Sequence, residues 1–119
     1  MVMQNQRTVY GKTLVELGHE NNRIVVLEAD LGKSTMTCLF EKEFPERFFE
    51  MGIAEANMVS FAAGLSLTDK IAFANSFAVF ASGRPYDQIR QGIAIGKLNV
   101  KIIGSSAGLS DFGDGATHQ

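Results

Sequence analysis

The chain has 119 residues, 45% of them hydrophobic and 20% charged, which suits one globular domain able to bury a core. Eleven basic against thirteen acidic side chains leave a net charge of −2 and no basic run, which argues against a nucleic-acid partner. No apolar run approaches the roughly 20 residues of a membrane span, and the lone Cys38 excludes an internal disulfide or a metal-binding cysteine pair. Residues 1–6 carry neither the charged flank nor the apolar stretch of a signal peptide, so a cytoplasmic location is the default expectation.

Residues 7–21 read as a helix, with Tyr10, Leu14 and Leu17 spaced for one buried face. Asn21 and Asn22 end it. The continuous apolar run Ile24-Val25-Val26-Leu27 suits a strand covered on both faces, as in a parallel sheet. Residues 30–37 form a polar loop, and loops leaving the carboxyl ends of such strands line the ligand crevice. Asp30 stands first in this loop, where the ordinary role of an aspartate is a turn or a cap. A short helix over 39–44 before Pro45 and a strand at Phe48-Phe49-Glu50-Met51 come next.

A glycine turn then opens Gly52-Ile53-Ala54-Glu55-Ala56-Asn57-Met58. Ala54, Met58, Phe61, Ala62 and Leu65 mark one face of a helix reaching about Leu67. Glu55 falls in its first turn, where the helix dipole favours negative charge, and a helix-start glutamate is its ordinary role. Ile71-Ala72-Phe73-Ala74 is a third strand, ending in Asn75-Ser76-Phe77. A longer helix is predicted over 84–98, with Pro85 tolerated in its first turn. Tyr86, Ile89, Ile93 and Gly96 would face inward, and Gly92 and Gly96 would allow close packing. Val100-Lys101-Ile102-Ile103 is a fourth strand, and the glycine-rich residues 104–119 form a loop. Alternating strands and helices predict an α/β domain with a mainly parallel sheet flanked by helices. Domains seldom finish on a loop of this kind. The single domain over 1–119 is therefore expected to be incomplete at its C-terminal end, with Gln119 a truncation point.

Four stretches stand in a telling order: Glu28-Ala29-Asp30-Leu31, the Glu55 heptapeptide, Asn75-Ser76-Phe77-Ala78-Val79-Phe80, and Gly113-Asp114-Gly115-Ala116-Thr117-His118-Gln119. Together they resemble the pyrimidine-binding domain of transketolases, in the form that begins the C-terminal subunit of a split transketolase. The resemblance runs from about Arg7 to Gln119, and the closing histidine motif is its most particular part. It implies a thiamine-diphosphate-dependent transferase that moves a two-carbon ketol unit between sugar phosphates. In that family the glutamate matching Glu55 hydrogen-bonds a ring nitrogen of the cofactor's aminopyrimidine. Phe77 and Phe80 match residues lying against that ring, and Asp30 matches an aspartate near the thiazolium side. Asp114 and His118 match residues facing the sugar, where a histidine can exchange protons near neutral pH. Arg7 and Ser34 fall where the family contacts the substrate phosphate.

The resemblance also implies what lies elsewhere. The diphosphate and Mg²⁺ are held in this family by a separate domain whose motif this chain lacks, so no metal site is assigned here. The chain then holds half of a site and should be inactive and bind cofactor poorly by itself. Its implied partner is a diphosphate-binding transketolase subunit, in a homo- or hetero-oligomer. Three departures bear on substrate and cofactor. Ser106 replaces the usual histidine, Gly83 lies where many members carry an aromatic, and Phe112-Gly113 precede Asp114 where a glutamate is common. Two alternatives follow: a deoxyxylulose-phosphate-synthase-type enzyme, which Asp87-Gln88 after Tyr86 resembles a little, or a non-catalytic interaction module with this fold.

Overall fold

The computed structural model of the chain describes residues 3–119; Met1 and Val2, the first of the amino-terminal stretch read above for a targeting signal, lie outside it. Helix α1 (Gln6–Glu20) opens at Asn5, whose side chain accepts from the N–H groups of Arg7 and Thr8, satisfying two of the otherwise unpaired first-turn donors. Strand β1 (Ile24–Glu28) is buried at every position. Two short helices, α2 (Gly32–Thr35) and α3 (Cys38–Glu43), lead to β2 (Phe48–Glu50). Helix α4 (Glu55–Ser66) precedes β3 (Ile71–Phe77), and β3 runs directly into helix α5 (Ala78–Gly83). A π-helical segment (Gln88–Ala94) then precedes β4 (Val100–Ser105).

Among the described residues the four strands form one parallel sheet in the order β2-β1-β3-β4. Because side chains alternate along a strand, β1 divides between two layers. Val25 and Leu27 pack with Met58 and Ala62 of α4, and Ile24 and Val26 pack with Leu14 of α1 and Phe40 of α3. Helices thus cover both faces, which is why β1 reads as an unbroken apolar run. The layer beneath α1 is tight: a Cβ at Gly11 would lie 2.5 Å from the Met36 carbonyl oxygen, and one at Gly18 2.5 Å from the Phe44 ring. No helix among the described residues is long and apolar enough to cross a membrane.

The third strand ends in Asn75-Ser76-Phe77, directly before α5, but two local expectations change. The helix predicted over 84–98 forms only over the middle of that range, and a separate helix, α5, lies wholly before it. Pro85 has no N–H to continue the ladder, so α5 closes at Arg84, whose N–H reaches the Phe80 carbonyl at 3.2 Å, and the chain resumes as the wider π-helical turn. Ile93 does face α4, beside Val59 and Ala63, but Tyr86 is 67% exposed rather than inward. The loops at 30–37 and 104–119 also contain structure: α2 in the first, and single 3₁₀ turns at Gly108–Ser110 and Gly115–Thr117 in the second.

Candidate functional site

The carboxyl ends of the parallel strands converge on one edge of the domain, where three acidic side chains do different work. Glu28, the last residue of β1, is fully buried. It accepts from the Thr35 hydroxyl at 2.7 Å, the Thr37 hydroxyl at 2.6 Å and the Ala29 N–H at 3.1 Å. Burial pushes its carboxyl up from the ordinary 4.5, and the two hydroxyl donors pull against that shift. Glu50, ending β2, uses Oε1 to accept from the N–H groups of Asp30 at 2.9 Å and Gly52 at 2.8 Å. These two carboxylates fix the loops that carry Asp30 and lead to Glu55. Asp30 is held at φ 61°, in the left-handed region that a non-glycine residue seldom occupies.

Glu55 opens α4 and is 3% exposed. A cavity of about 280 Å³ lies in front of it, lined by Asp30, Ile53, Glu55, Phe80, Arg84 and His118. The Arg84 guanidinium donates from Nη1 to Glu55 Oε1 at 2.7 Å and lies 4.0 Å from the Phe80 ring centre. His118 sets its ring edge-on to Phe80 at 5.0 Å, and Thr117 Oγ1 lies 2.8 Å from its Nδ1. Asp30, Glu55, Phe80 and His118, singled out separately in the sequence, all line this one cavity.

The other candidates line a neighbouring cavity of about 740 Å³, which includes Arg7, Ser34, Phe77, Ser106, Asp111 and Asp114. Arg7 donates from Nη1 to the Ser34 carbonyl at 3.1 Å, so one contact already joins the two residues. Phe77 is the hinge between the cavities. Its ring lies nearly parallel to Phe80, 6.4 Å away at 12°, and the His118 edge reaches it at 6.1 Å. Ser106 takes φ 53°, a second left-handed residue at a strand end.

Four residues that shape this edge were not singled out as site residues. Glu28, Thr35 and Thr37 form the network described above, and Arg84 is the fourth. Arg84 follows Phe80 by four positions, the spacing that brings helical side chains together, and that is the signal in the sequence. Tyr10 supports the same edge from α1, donating its hydroxyl to Asn75 Oδ1 at 2.5 Å while Asn75 Nδ2 donates to the Leu27 carbonyl at 2.9 Å. Burial, and next the nearby Glu28 charge, hold the Tyr10 hydroxyl well above the ordinary tyrosine range.

A parallel α/β sheet with its candidate ligand residues outside the strand carboxyl ends is the arrangement of a nucleotide- or cofactor-binding domain. Residues 3–119 match the family model described as transketolase, pyrimidine binding domain, and the chain belongs to that family. A protein of Methanocaldococcus jannaschii described as a transketolase C-terminal section is 54% identical over 118 residues, covering 99% of this chain and 37% of the relative. A 6-deoxy-6-sulfo-D-fructose transketolase subunit of a Clostridium species is 41% identical over 94% of this chain and 35% of its own length. A solved structure, a split-gene transketolase described as an inactive β4 tetramer, superposes with a TM-score of 0.75 at 62% identity, covering 82% of this chain and 33% of that one. The chain therefore spans about a third of these relatives' length.

Proposed function

We propose that this chain supplies the pyrimidine-binding half of a thiamine-diphosphate-dependent transketolase site, acting on anionic ketose and aldose sugars. The observation that carries the reading is the buried Glu55 carboxylate facing a cavity walled by Phe80 and closed by His118. A flat aminopyrimidine fits that donor set. Its ring nitrogen can meet Glu55, its face can lie on Phe80, and Asp30 stands at the cavity mouth for the rest of the cofactor. Thiamine diphosphate supplies the carbon nucleophile that a ketol transfer needs. The protein's share is to hold the ring, to place Glu55 at its nitrogen, and to present His118 as a proton-exchanging group on the substrate side.

The larger cavity suits the sugar. Arg7, held beside Ser34, can fork onto an anionic end group, and Asp114 can accept from a sugar hydroxyl. Ser106 also lines it and offers a neutral hydroxyl where a histidine would offer charge. The sulfo-sugar name of the Clostridium relative supports leaving the end group as phosphate or sulfonate.

No group of three His, Cys, Asp or Glu side chains among the described residues is placed to hold a metal. The described residues offer no such cluster for Mg²⁺. We assign the diphosphate and its Mg²⁺ to a partner domain or chain, so this polypeptide alone should not turn over. The 62%-identical split-gene neighbour, an inactive β-only tetramer by its description, supports that division of labour. The test mixes the chain with its candidate diphosphate-binding partner, thiamine diphosphate and Mg²⁺, and follows consumption of xylulose 5-phosphate with an aldose acceptor. Turnover only in the mixture is the expected result. A stable complex that binds cofactor but turns over only with a 2-oxo acid donor would instead establish the deoxyxylulose-phosphate-synthase-type reaction. A complex that binds no cofactor would leave an interaction module.

A further inference from the structure

The Glu55 carboxylate is satisfied from within the chain. Arg84 donates to its Oε1 at 2.7 Å, and the guanidinium carbon stands 4.0 Å from the centre of Phe80. Glu55 is 3% exposed whereas the Arg84 side chain is 47% exposed, so the arginine reaches inward from the cavity mouth. A guanidinium is flat, rich in N–H donors, and stable on an aromatic face. Those are the features by which an aminopyrimidine would take the same two partners. A ring using Glu55 Oε1 and that face of Phe80 needs the volume the guanidinium fills.

The backbone suits a side chain that moves. Arg84 closes α5 immediately before buried Pro85 and the π-helical segment, so its backbone is anchored while its side chain reaches out of the helix end. A Cβ at the preceding Gly83 would meet nothing within 4 Å, so the space beside the root of the arginine is open.

We propose that Arg84 is a displaceable internal occupant of the aminopyrimidine subsite, an inference that rests on the cofactor reading above. In the free chain it pairs the buried Glu55 charge. It must swing out before a ring can enter, and the measured affinity is lowered by the fraction of molecules in which it has done so.

Glu55, Phe80 and Arg84, the three groups that compete in this proposal, all lie in this chain, so the probe is the pyrimidine fragment of thiamine, 4-amino-5-hydroxymethyl-2-methylpyrimidine, added to the chain alone and to its complex with the diphosphate-binding partner. Binding is followed by ¹H–¹⁵N NMR for wild type, Arg84→Gln and Arg84→Lys. Arg84→Gln should bind the fragment about tenfold more tightly, the scale of one charge-assisted hydrogen bond released. In wild type the Arg84 side-chain N–H signals should move on titration. Arg84→Lys keeps the charge without the flat fork and should gain part of the same increase, which serves if the glutamine variant misfolds. Wild-type binding with no gain in either folded variant would overturn the inference and leave the cofactor reading standing. No binding by any of the three, in the chain alone and in the assembled complex, would overturn both.

Discussion

Replacing Thr37 by valine removes one hydroxyl and almost no volume, which makes it a clean probe of the Glu28 network. Thr37 and Glu28 are both fully buried, and their 2.6 Å bond has no solvent to replace it. Removing one partner of a buried hydrogen bond costs about 1–3 kcal/mol, and here the carboxyl keeps Thr35 and the Ala29 N–H, so the expected loss is about 2 kcal/mol. For a chain of this size that corresponds to roughly 6–10 °C in Tm. Urea denaturation followed by circular dichroism at pH 7 should show a lower midpoint with an unchanged slope. In a Glu28→Gln background, where the Thr37 hydroxyl loses its carboxyl partner, the same substitution should cost less, about 0.5–1 kcal/mol. A Thr37→Val variant within about 0.5 kcal/mol of wild type, or one losing equally in both backgrounds, would refute the argument.

Other consequences are as direct. Gly11→Ala places a Cβ 2.5 Å from the Met36 carbonyl and 2.9 Å from the Met36 Cβ. Overpacking of this kind costs about 1–3 kcal/mol, and a thermal melt indistinguishable from wild type would show that α1 and the α2–α3 joint can separate freely. The Glu28 carboxyl is raised by burial, so the native state holds its proton more tightly than the unfolded chain does. Its contribution is fully present below the ordinary 4.5 and is lost as pH rises from there through the raised native value. Urea midpoints between about pH 4 and 8 should therefore decline more in wild type than in Glu28→Gln, and parallel curves would contradict the assignment.

Strand β1 was legible in the sequence because a parallel strand covered on both faces must be apolar throughout, and the other three runs overlap strands, with Met51 falling just past the end of β2. What escaped was polar and buried. Thr35 and Thr37 look like loop threonines, since their partner Glu28 is seven and nine residues away across a turn. The role of Asn75 was hidden too: its amide bonds the Leu27 and Phe73 carbonyls and its oxygen takes the Tyr10 hydroxyl. Pro85 does stand at the start of a helical segment, as read, but the short helix α5 that ends just before it went unnoticed, because Ala78–Gly83 is too short to show a periodic face. Glu55, Phe80, Asp30 and His118 line one cavity, a grouping that periodicity alone, which pointed to a capping charge and core aromatics, does not show.

The most direct test of the account compares wild type with Glu55→Gln in the assembled complex with the diphosphate-binding partner, cofactor and Mg²⁺. Glutamine keeps the size of the side chain and its contact with Arg84 through an amide oxygen, so folding and complex formation should be retained. Ketol transfer from xylulose 5-phosphate should fall by about a hundredfold or more, the scale of a positioned proton-handling group. Transfer within a few-fold of wild type, in a complex that assembles normally, would contradict the role given to Glu55.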